Sequence, residues 1–228
     1  MGAAPAGKPR LVLFDLDHTL LDGDSDQLWC EFLMKRGVLE RAAFEARNAA
    51  MERDYRAGTV STRAFSEFYV GTLAGRTAAG WQPEREAFLR NVIAPRLSPA
   101  ARALVRERHA DGALVVLTTA TNRFITELTA AELGIAHLLA TECEVDPEGR
   151  FTGRPQGTLN MREGKVARLH EWLASRGARL ADYDSSAYSD SANDLPLLEA
   201  VDRPHAVHPD ARVAALAAER GWPVLRLR

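Results

Sequence analysis

An apolar run, Leu11–Phe14, leads directly into two aspartates, Asp15 and Asp17. Such a run is typical of a parallel strand that is buried on both faces. Open α/β sheets bind ligands at the carboxyl ends of their strands, and alternation along an extended chain points both aspartates to one side. Carboxylates this close repel each other, so the pair favours a divalent cation such as Mg²⁺. The alternative is an ordinary strand followed by an Asp-rich turn.

Three later segments carry residue types that suit the same chemistry. They are a second apolar strand that ends in hydroxyl groups, a helix start that carries a lysine, and a short strand that runs into an acidic loop: residues 113–119, 162–166 and 187–195. The apolar strands, like the first one, are predicted to be buried in a parallel sheet. The hydroxyls, the lysine and the acids are therefore expected near the first aspartate pair.

Lys165 stands out by composition. The chain has 29 lysines and arginines, of which only Lys8, Lys35 and Lys165 are lysines. Lysine near a helix N-terminus is mildly unfavourable with the helix dipole, which favours a functional reason for Lys165. The alternative is a solvated lysine at the start of a helix.

Strand and helix patterns alternate from about residue 97 to the end, which predicts a parallel sheet with helices on both faces. Residues 143–153 break this alternation and predict a β-hairpin around an Asp-Pro-Glu-Gly turn. Residues 22–96 carry apolar and aromatic residues at helical spacing and predict a helical insert. The aromatic residues of this insert are expected mainly to form its own core.

The order of these residue types resembles the haloacid dehalogenase superfamily of phosphohydrolases over nearly the whole chain. This resemblance implies an α/β fold with a Rossmann-like parallel sheet core and an inserted helical cap. The core would comprise residues 1–21 and 97–228, and the cap residues 22–96.

The resemblance also implies roles for the first aspartate pair. Asp15 would attack the phosphorus atom and form an aspartyl phosphate. Asp17 would protonate the leaving alcohol and then take a proton from the hydrolytic water. An acid at position 17 favours a phosphatase, or a phosphomutase with a similar set of catalytic residues, over a dehalogenase. His18 is the variable residue within this motif and is expected to point away from the site.

The metal site implied by the resemblance holds Mg²⁺ through Asp15, Asp190 and the main-chain carbonyl of Asp17. Asp194 would support metal-bound water or orient Lys165, which would bridge the phosphoryl group and the acids. The alternative for the acidic loop is a helix N-cap with a favourable early acid.

The phosphoryl group would also bind hydroxyl and amide groups. Thr118 would donate to a phosphoryl oxygen, with Thr119 and Thr121 as rival candidates. Asn193 would donate to phosphate from the acidic loop.

Within the superfamily, the closest resemblance is to proteins with a helical cap after the first motif. These include phosphoserine phosphatases and bacterial histidinol-phosphatases, and residues 22–26 and 188–196 are similar to the latter. L-Histidinol phosphate carries an ammonium group and no carboxylate, so Asp22, Asp24 and Asp26 could pair with it. The alternative for these acids is capping of the first cap helix.

Composition limits the partners. A net charge of −2 argues against a nucleic-acid surface, and no apolar run approaches the roughly 20 residues that span a bilayer. The first ten residues lack the apolar segment of a secretory signal, and Cys30 and Cys143 are too few for a disulfide scaffold. A cytoplasmic enzyme for a small phosphorylated metabolite is expected, with no nucleic-acid or membrane partner. A phosphoserine or other small-ester phosphatase, a phosphomutase and a non-catalytic binding module are the alternatives, and oligomeric state is not predicted.

Overall fold

A computed structural model gives the fold and describes residues 7–56, 59 and 61–228. Within these residues, seven strands form one sheet: β1 (Arg10–Phe14), β2 (Leu114–Asn122), β3 (His137–Val145), β4 (Phe151–Gln156), β5 (Asp184–Ser189), β6 (Arg203–Val207) and β7 (Val224–Leu225). Their order is β4-β3-β2-β1-β5-β6-β7, and every neighbouring pair is parallel except β3 and β4. The predicted α/β class is confirmed.

Between β1 and residue 97 the described helices follow one another without an intervening strand, and after residue 97 they alternate with strands except at the β3–β4 hairpin. They are α1 (Ser25–Lys35), α2 (Arg41–Arg56), α3 (Thr62–Val70), α4 (Ala78–Phe88), α5 (Pro99–Ala110), α6 (Arg123–Glu132), α7 (Glu163–Ala174), α8 (Leu195–Ala200) and α9 (Ala211–Arg220). None of the described helices has the length and apolar character needed to cross a bilayer.

Strand β1 occupies the position where the winding of the sheet reverses. The chain passes from β1 to β2 and β3 on one side, and later to β5, β6 and β7 on the other. At such a switch point the connections diverge and leave a crevice at the carboxyl ends of the strands. The residues that follow β1, β2 and β5 therefore meet at one place.

Alternation along β1 divides the core into two apolar layers. Val12 and Phe14 face one layer, whereas Leu11 and Leu13 face the other. The second layer is filled by helices α7, α8 and α9, through residues such as Leu169, Leu198 and Val213. Burial on both faces explains why the β1 sequence is continuously apolar.

The sequence predicts that the aromatic residues of the insert mainly form its own core, but several of them pack on the apolar layer of the sheet instead. Trp29, Trp81 and Phe88 belong to the same apolar cluster as Val12 and Phe14 of the sheet. Trp29 of α1 contacts Trp81 and Phe88 of α4 edge to face, with ring centroids 5.7 and 5.1 Å apart. The insert is helical as predicted, but α1 and α4 pack on the sheet because their large rings reach its apolar layer.

A smaller cluster lies in the insert away from the sheet. It comprises Cys30, Phe44 and Tyr69, which join α1 to α2 and α3. The division into core and cap at residues 22 and 97 stays a prediction.

The hairpin predicted at residues 143–153 is present. Val145 of β3 pairs antiparallel with Phe151 of β4, across a turn in which Gly149 donates to the carbonyl of Asp146. Phe151 also exchanges backbone hydrogen bonds with the insert, accepting from Gly75 and donating to Arg76, each at 2.9 Å. The hairpin thus attaches the insert to the sheet at a second place.

Candidate active site

Asp15 lies at the carboxyl end of β1, in the crevice of the sheet. Its backbone N–H donates to the carbonyl of Tyr188 in β5 at 2.9 Å, which extends the strand pairing up to the aspartate. Its carboxyl group accepts a hydrogen bond from Lys165 Nζ at 2.7 Å, and the residue is only 6% exposed. The structure therefore holds a buried carboxyl group in a fixed position.

Lys165 and Asp194 complete a buried ion cluster with Asp15. Lys165 Nζ also donates to Asp194 Oδ2 at 2.7 Å, and the hydroxyl of Ser189 donates to the same oxygen at 2.7 Å. Burial alone would lower the pKa of the Lys165 ammonium, but Asp15 and Asp194 outweigh it and hold that pKa above its ordinary value. Lys165 is therefore charged and partly neutralises the site.

Asp190 adds a further carboxyl group at the carboxyl end of β5. Its Oδ1 accepts from the Thr19 hydroxyl at 3.1 Å. Burial, together with the charge of Asp194, raises the pKa of Asp190 to about 7 against the lowering effect of the Thr19 hydrogen bond. Burial also raises the pKa of Asp15 well above its usual range, with Lys165 opposing and the neighbouring aspartates adding. The site therefore crowds several carboxyl groups around the single ammonium group of Lys165, and their ionisation is disfavoured unless a further cation binds.

This excess of carboxylates suits a divalent cation. In the described part of the chain, no three His, Cys, Asp or Glu side chains are grouped as a complete metal site. Mg²⁺ does not require one, because it keeps several waters and binds through one or two carboxylates and substrate phosphate. Asp15 and Asp190, whose pKa values are raised mainly by burial and further by the neighbouring aspartates, fit that donor set.

Asp17 is half-buried and receives hydrogen bonds on both carboxyl oxygens. The backbone N–H of Ser25, at the start of α1, donates to Oδ1 at 2.7 Å. The hydroxyl groups of Thr119 and Thr121 lie 3.2 and 3.1 Å from Oδ2. The core strand β2 and the insert helix α1 thus orient Asp17 jointly.

The three threonines of β2 divide between two sides of the strand. Thr119 and Thr121 face Asp17, as side chains two residues apart should. Thr118 points the other way, and its hydroxyl accepts from Asn160 Nδ2 at 3.0 Å. Thr118 is 1% exposed and does not line the cavity at Asp15, whereas Thr121 does. The structure therefore does not bring Thr118 to the carboxylates.

Asn160 is a residue that the sequence analysis missed. Its amide group is fully buried and lies 2.9 Å from the carbonyls of both Thr119 and Leu139. These contacts fasten the segment before α7 to the ends of β2 and β3. No motif signals Asn160, but Asn160 is part of what sets the position of Lys165.

Gly164 was also missed. A Cβ atom at this position would lie 2.0 Å from the carbonyl oxygen of Leu159. Only glycine allows this approach of the first turn of α7 to the preceding segment.

The remaining predicted residues have mixed surroundings. Asp24 lines the cavity and also caps α1, accepting from Gln27 N–H at 2.9 Å, so the capping alternative holds for it too. Asp22 instead forms an ion pair with Arg228 at 2.8 Å. Asn193 lines the cavity, and its Oδ1 accepts from Arg162 at 3.2 Å.

Contrary to the expectation from the sequence, His18 lines the cavity at Asp15. It is exposed, and its backbone φ is 57°.

The cavity at Asp15 has a volume of about 150 Å³. Side chains from both parts of the fold enclose it, since Phe65 of α3 and Met161 before α7 both line it. Lys165 is the one lysine or arginine in its described lining. Six aspartates share that lining with it: Asp15, Asp17, Asp24, Asp26, Asp190 and Asp194. A cationic group would be accommodated there more easily than a second anion beside the phosphate.

The chain matches known proteins over most of its length. The sequence profile of the haloacid dehalogenase-like hydrolases matches residues 12–199. A histidinol-phosphatase from Neisseria meningitidis serogroup C is 39% identical over 220 residues, which cover 96% of this chain and 99% of that protein. A phosphoserine phosphatase from Mycobacterium tuberculosis is 32% identical over 234 residues, which cover 98% of this chain and 73% of that protein.

A solved structure shares the fold. The crystal structure of a protein of unknown function from Bordetella pertussis Tohama I superposes with a TM-score of 0.93 at 43% sequence identity. The superposition covers 97% of this chain and 100% of that one.

Proposed function

Because the chain belongs to the haloacid dehalogenase-like hydrolase family and is a phosphatase, we propose that it hydrolyses a small phosphate monoester through an aspartyl phosphate on Asp15. The observation that carries this proposal is the buried cluster in which Lys165 Nζ lies 2.7 Å from both Asp15 and Asp194. It fixes the carboxyl group of Asp15 at the head of an acidic cavity. Phosphoryl transfer depends mainly on such positioning and charge neutralisation.

In the first half-reaction, a carboxylate oxygen of Asp15 attacks phosphorus and the bond to the substrate oxygen breaks. The leaving alkoxide takes its proton from Asp17, which acts as the general acid. Lys165 offsets the charge of the phosphoryl oxygens next to Asp15.

In the second half-reaction, water attacks the phosphorus of the aspartyl phosphate. Asp17 takes a proton from this water, and the bond to Asp15 breaks, which releases inorganic phosphate and restores the carboxylate. The hydrogen bonds to Asp17 from Ser25 and the β2 threonines orient it for both transfers.

Thr119, rather than Thr118, is the better candidate for the β2 hydroxyl that serves the phosphoryl group. Its hydroxyl lies 3.2 Å from Asp17, whereas that of Thr118 is directed to Asn160. Thr119 is not among the described residues that line the cavity at Asp15, whereas Asn193 and Lys165 line it and would act as further donors.

Mg²⁺ would be held by the carboxylates of Asp15 and Asp190 and by the main-chain carbonyl of Asp17. When bound, it neutralises phosphoryl oxygens and orients the group for in-line attack. Asp194 orients Lys165 through their hydrogen bond and would support water bound to the metal.

The preferred substrate is L-histidinol phosphate. The cavity lining at Asp24 is acidic, and no arginine is found among its described lining residues. An ammonium group is stabilised in such a place, whereas the carboxylate of phosphoserine would be repelled. Identity of 39% to a histidinol-phosphatase over nearly the full length supports the same choice.

Release of inorganic phosphate in the presence of Mg²⁺ tests this proposal. L-Histidinol phosphate, L-phosphoserine and a panel of small esters would be compared, with Asp24→Asn as the variant and Asp22→Asn as its matched control. We expect the native protein to prefer L-histidinol phosphate. Asp24→Asn should lose this preference through a raised KM for that ester, and Asp22→Asn should keep it. Preference for phosphoserine would overturn the substrate assignment, and formation of an isomerised ester without phosphate release would indicate a mutase.

A further inference from the structure

The hydroxyl group of Thr121 has three oxygen neighbours at the same distance. Ser25 Oγ, Asp17 Oδ2 and Asp26 Oδ2 each lie 3.1 Å from Thr121 Oγ1. Thr121 therefore connects the proposed acid–base carboxyl group to a second carboxyl group, at the start of α1. Nothing in the proposed mechanism so far uses Asp26.

Counting protons shows that one of the two carboxyl groups is protonated. A hydroxyl group has one proton to donate, so Thr121 can donate to Asp17 or to Asp26 but not to both. If both were ionised, one of these contacts would bring two lone pairs together without a proton. A proton on either carboxyl group lets it donate to Thr121, which then donates to the other.

The surroundings assign that proton to Asp26. Asp17 already accepts from the Ser25 N–H and has Thr119 as a second hydroxyl neighbour. Asp26 Oδ1, by contrast, is buried without a hydrogen-bond partner among the described residues. An unpartnered oxygen is far less costly on a neutral acid than on a carboxylate.

The electrostatics around Asp26 agree with this assignment. Burial raises the pKa of Asp26 well above its usual range, and Asp24 and Asp17 raise it further, against the lowering effect of Thr121. The other titratable groups that Asp26 influences, Cys30 and Cys143, have their own pKa values raised by burial and remain neutral thiols. The position of Asp26 in the first turn of α1 favours charge only modestly, and burial outweighs it.

We propose that Asp26 is a positioning residue that, as a neutral acid, donates to Thr121 and thereby directs the Thr121 proton onto Asp17. The proposal rests on the proposed function, because it concerns the group that transfers protons to and from the substrate. In this arrangement Asp17 Oδ2 accepts from the hydroxyl groups of Thr119 and Thr121. The proton that Asp17 gives to the leaving alkoxide is then carried on Oδ1. The geometry of Asp17 then depends on a residue to which the proposed mechanism assigns no proton transfer with the substrate.

The dependence on the leaving group tests this role. An alkoxide such as that of histidinol needs a proton as it leaves, whereas p-nitrophenolate leaves without one, so only the first reaction requires a well-placed general acid. For Asp26→Ala we expect kcat to fall by about tenfold or more with the alkyl ester and by less than about threefold with p-nitrophenyl phosphate. KM for either ester should change little.

Conservative variants keep the test independent of folding. Asp26→Asn retains a donor toward Thr121 and should recover most of the lost activity. Thr121→Val should reproduce the defect of Asp26→Ala, and Thr121→Ser should not. Asp22→Ala, in the neighbouring exposed ion pair, serves as the unaffected control.

Three results would overturn the inference. Equal losses with both esters would indicate a structural role, and a raised KM for the ammonium-bearing ester alone would make Asp26 a substrate ligand. If Asp26→Asn were no more active than Asp26→Ala, a role of Asp26 as hydrogen-bond donor to Thr121 would be excluded. An inactive native protein, or activity that survives Asp15→Asn, would instead contradict the proposed function and is distinguishable from all three.

Discussion

Lys165 places one ammonium group between two buried carboxyl groups. Replacing it by methionine keeps most of the volume but leaves Asp15 and Asp194 without their cation. Removal of one partner from a buried pair typically costs 3–5 kcal/mol, and partial protonation of the aspartates would reduce this. We predict that Lys165→Met lowers the free energy of unfolding by about 3 kcal/mol and phosphatase activity by at least ~100-fold.

Denaturant unfolding and phosphate release would measure both effects. Lys35→Met is the matched control, because the Lys35 side chain is 71% exposed and its ion pair with Glu31 is open to solvent. Its effect on stability should stay within about 0.5 kcal/mol. Equal effects of the two substitutions would contradict the role assigned to Lys165.

The crowded carboxyl groups predict a pH dependence of stability. Asp190, with a pKa near 7, and Asp15, with a raised pKa, bind protons in the folded protein that they release in the unfolded chain. Between about pH 4 and pH 7 the folded state therefore holds more protons, so stability falls as pH rises through this window. Mg²⁺ binds the ionised carboxylates and should reverse the trend.

Thermal unfolding across this pH range, in EDTA and in Mg²⁺, would test that prediction. The stabilisation by Mg²⁺ should be small near pH 4 and large near pH 7, and it should be reduced in Asp190→Asn. A stabilisation by Mg²⁺ that does not depend on pH would place the cation elsewhere.

At the scale of elements, the first turn of α7 sets where Lys165 lies. Gly164→Ala would place a Cβ atom 2.0 Å from the Leu159 carbonyl oxygen, which belongs to the backbone and cannot turn aside. The start of α7 must shift, and Lys165 shifts with it. We predict a loss of at least about 2 kcal/mol in unfolding free energy together with a lower kcat.

Gly71→Ala provides the comparison, because a Cβ atom there meets nothing within 4 Å. It should be nearly neutral in both measurements. If Gly164→Ala retained native stability and kcat, the close approach of α7 to Leu159 would not be required.

Helix α2 differs from its neighbours in how little it buries. Phe44 is its one buried side chain among those described, whereas α1 buries Trp29, Phe32 and Leu33 against the sheet layer. Segments with little apolar burial open locally at a lower free energy than the core. We predict that amide hydrogen exchange measured by mass spectrometry is much faster in α2 than in α1. Equal protection in both helices would show that the insert opens as one unit.

For the whole molecule, most of the architecture can be predicted from a single sequence, because local sequence patterns determine the strands, helices and turns. Continuous apolar strands predict the parallel sheet, the Asp-Pro-Glu-Gly turn predicts the hairpin and helical periodicity predicts the helical insert, and each of these elements is present. Local patterns could not show that Trp29 and Trp81 pack on the sheet layer, since helical spacing gives a buried face but not the surface that covers it.

The grouping of Asp15, Lys165 and Asp190 was predictable, and the structure places all three at the cavity, while their catalytic and metal-binding roles stay a proposal. Among the threonines of β2, alternation separates Thr118 from Thr119, but the side that faces Asp17 depends on how the strands pair. Asn160 acts through contacts with two strands distant in sequence, so no pattern along the chain indicates it.

The central claim is that Asp15 carries the phosphoryl group during hydrolysis. Rapid acid quenching during turnover of L-histidinol phosphate with Mg²⁺, followed by peptide mass spectrometry, tests it directly. The account predicts one phosphoryl group on the peptide that contains Asp15, absent in Asp15→Asn, which should also release no phosphate. Steady phosphate release by Asp15→Asn, or a phosphoryl group on a different residue, would contradict it.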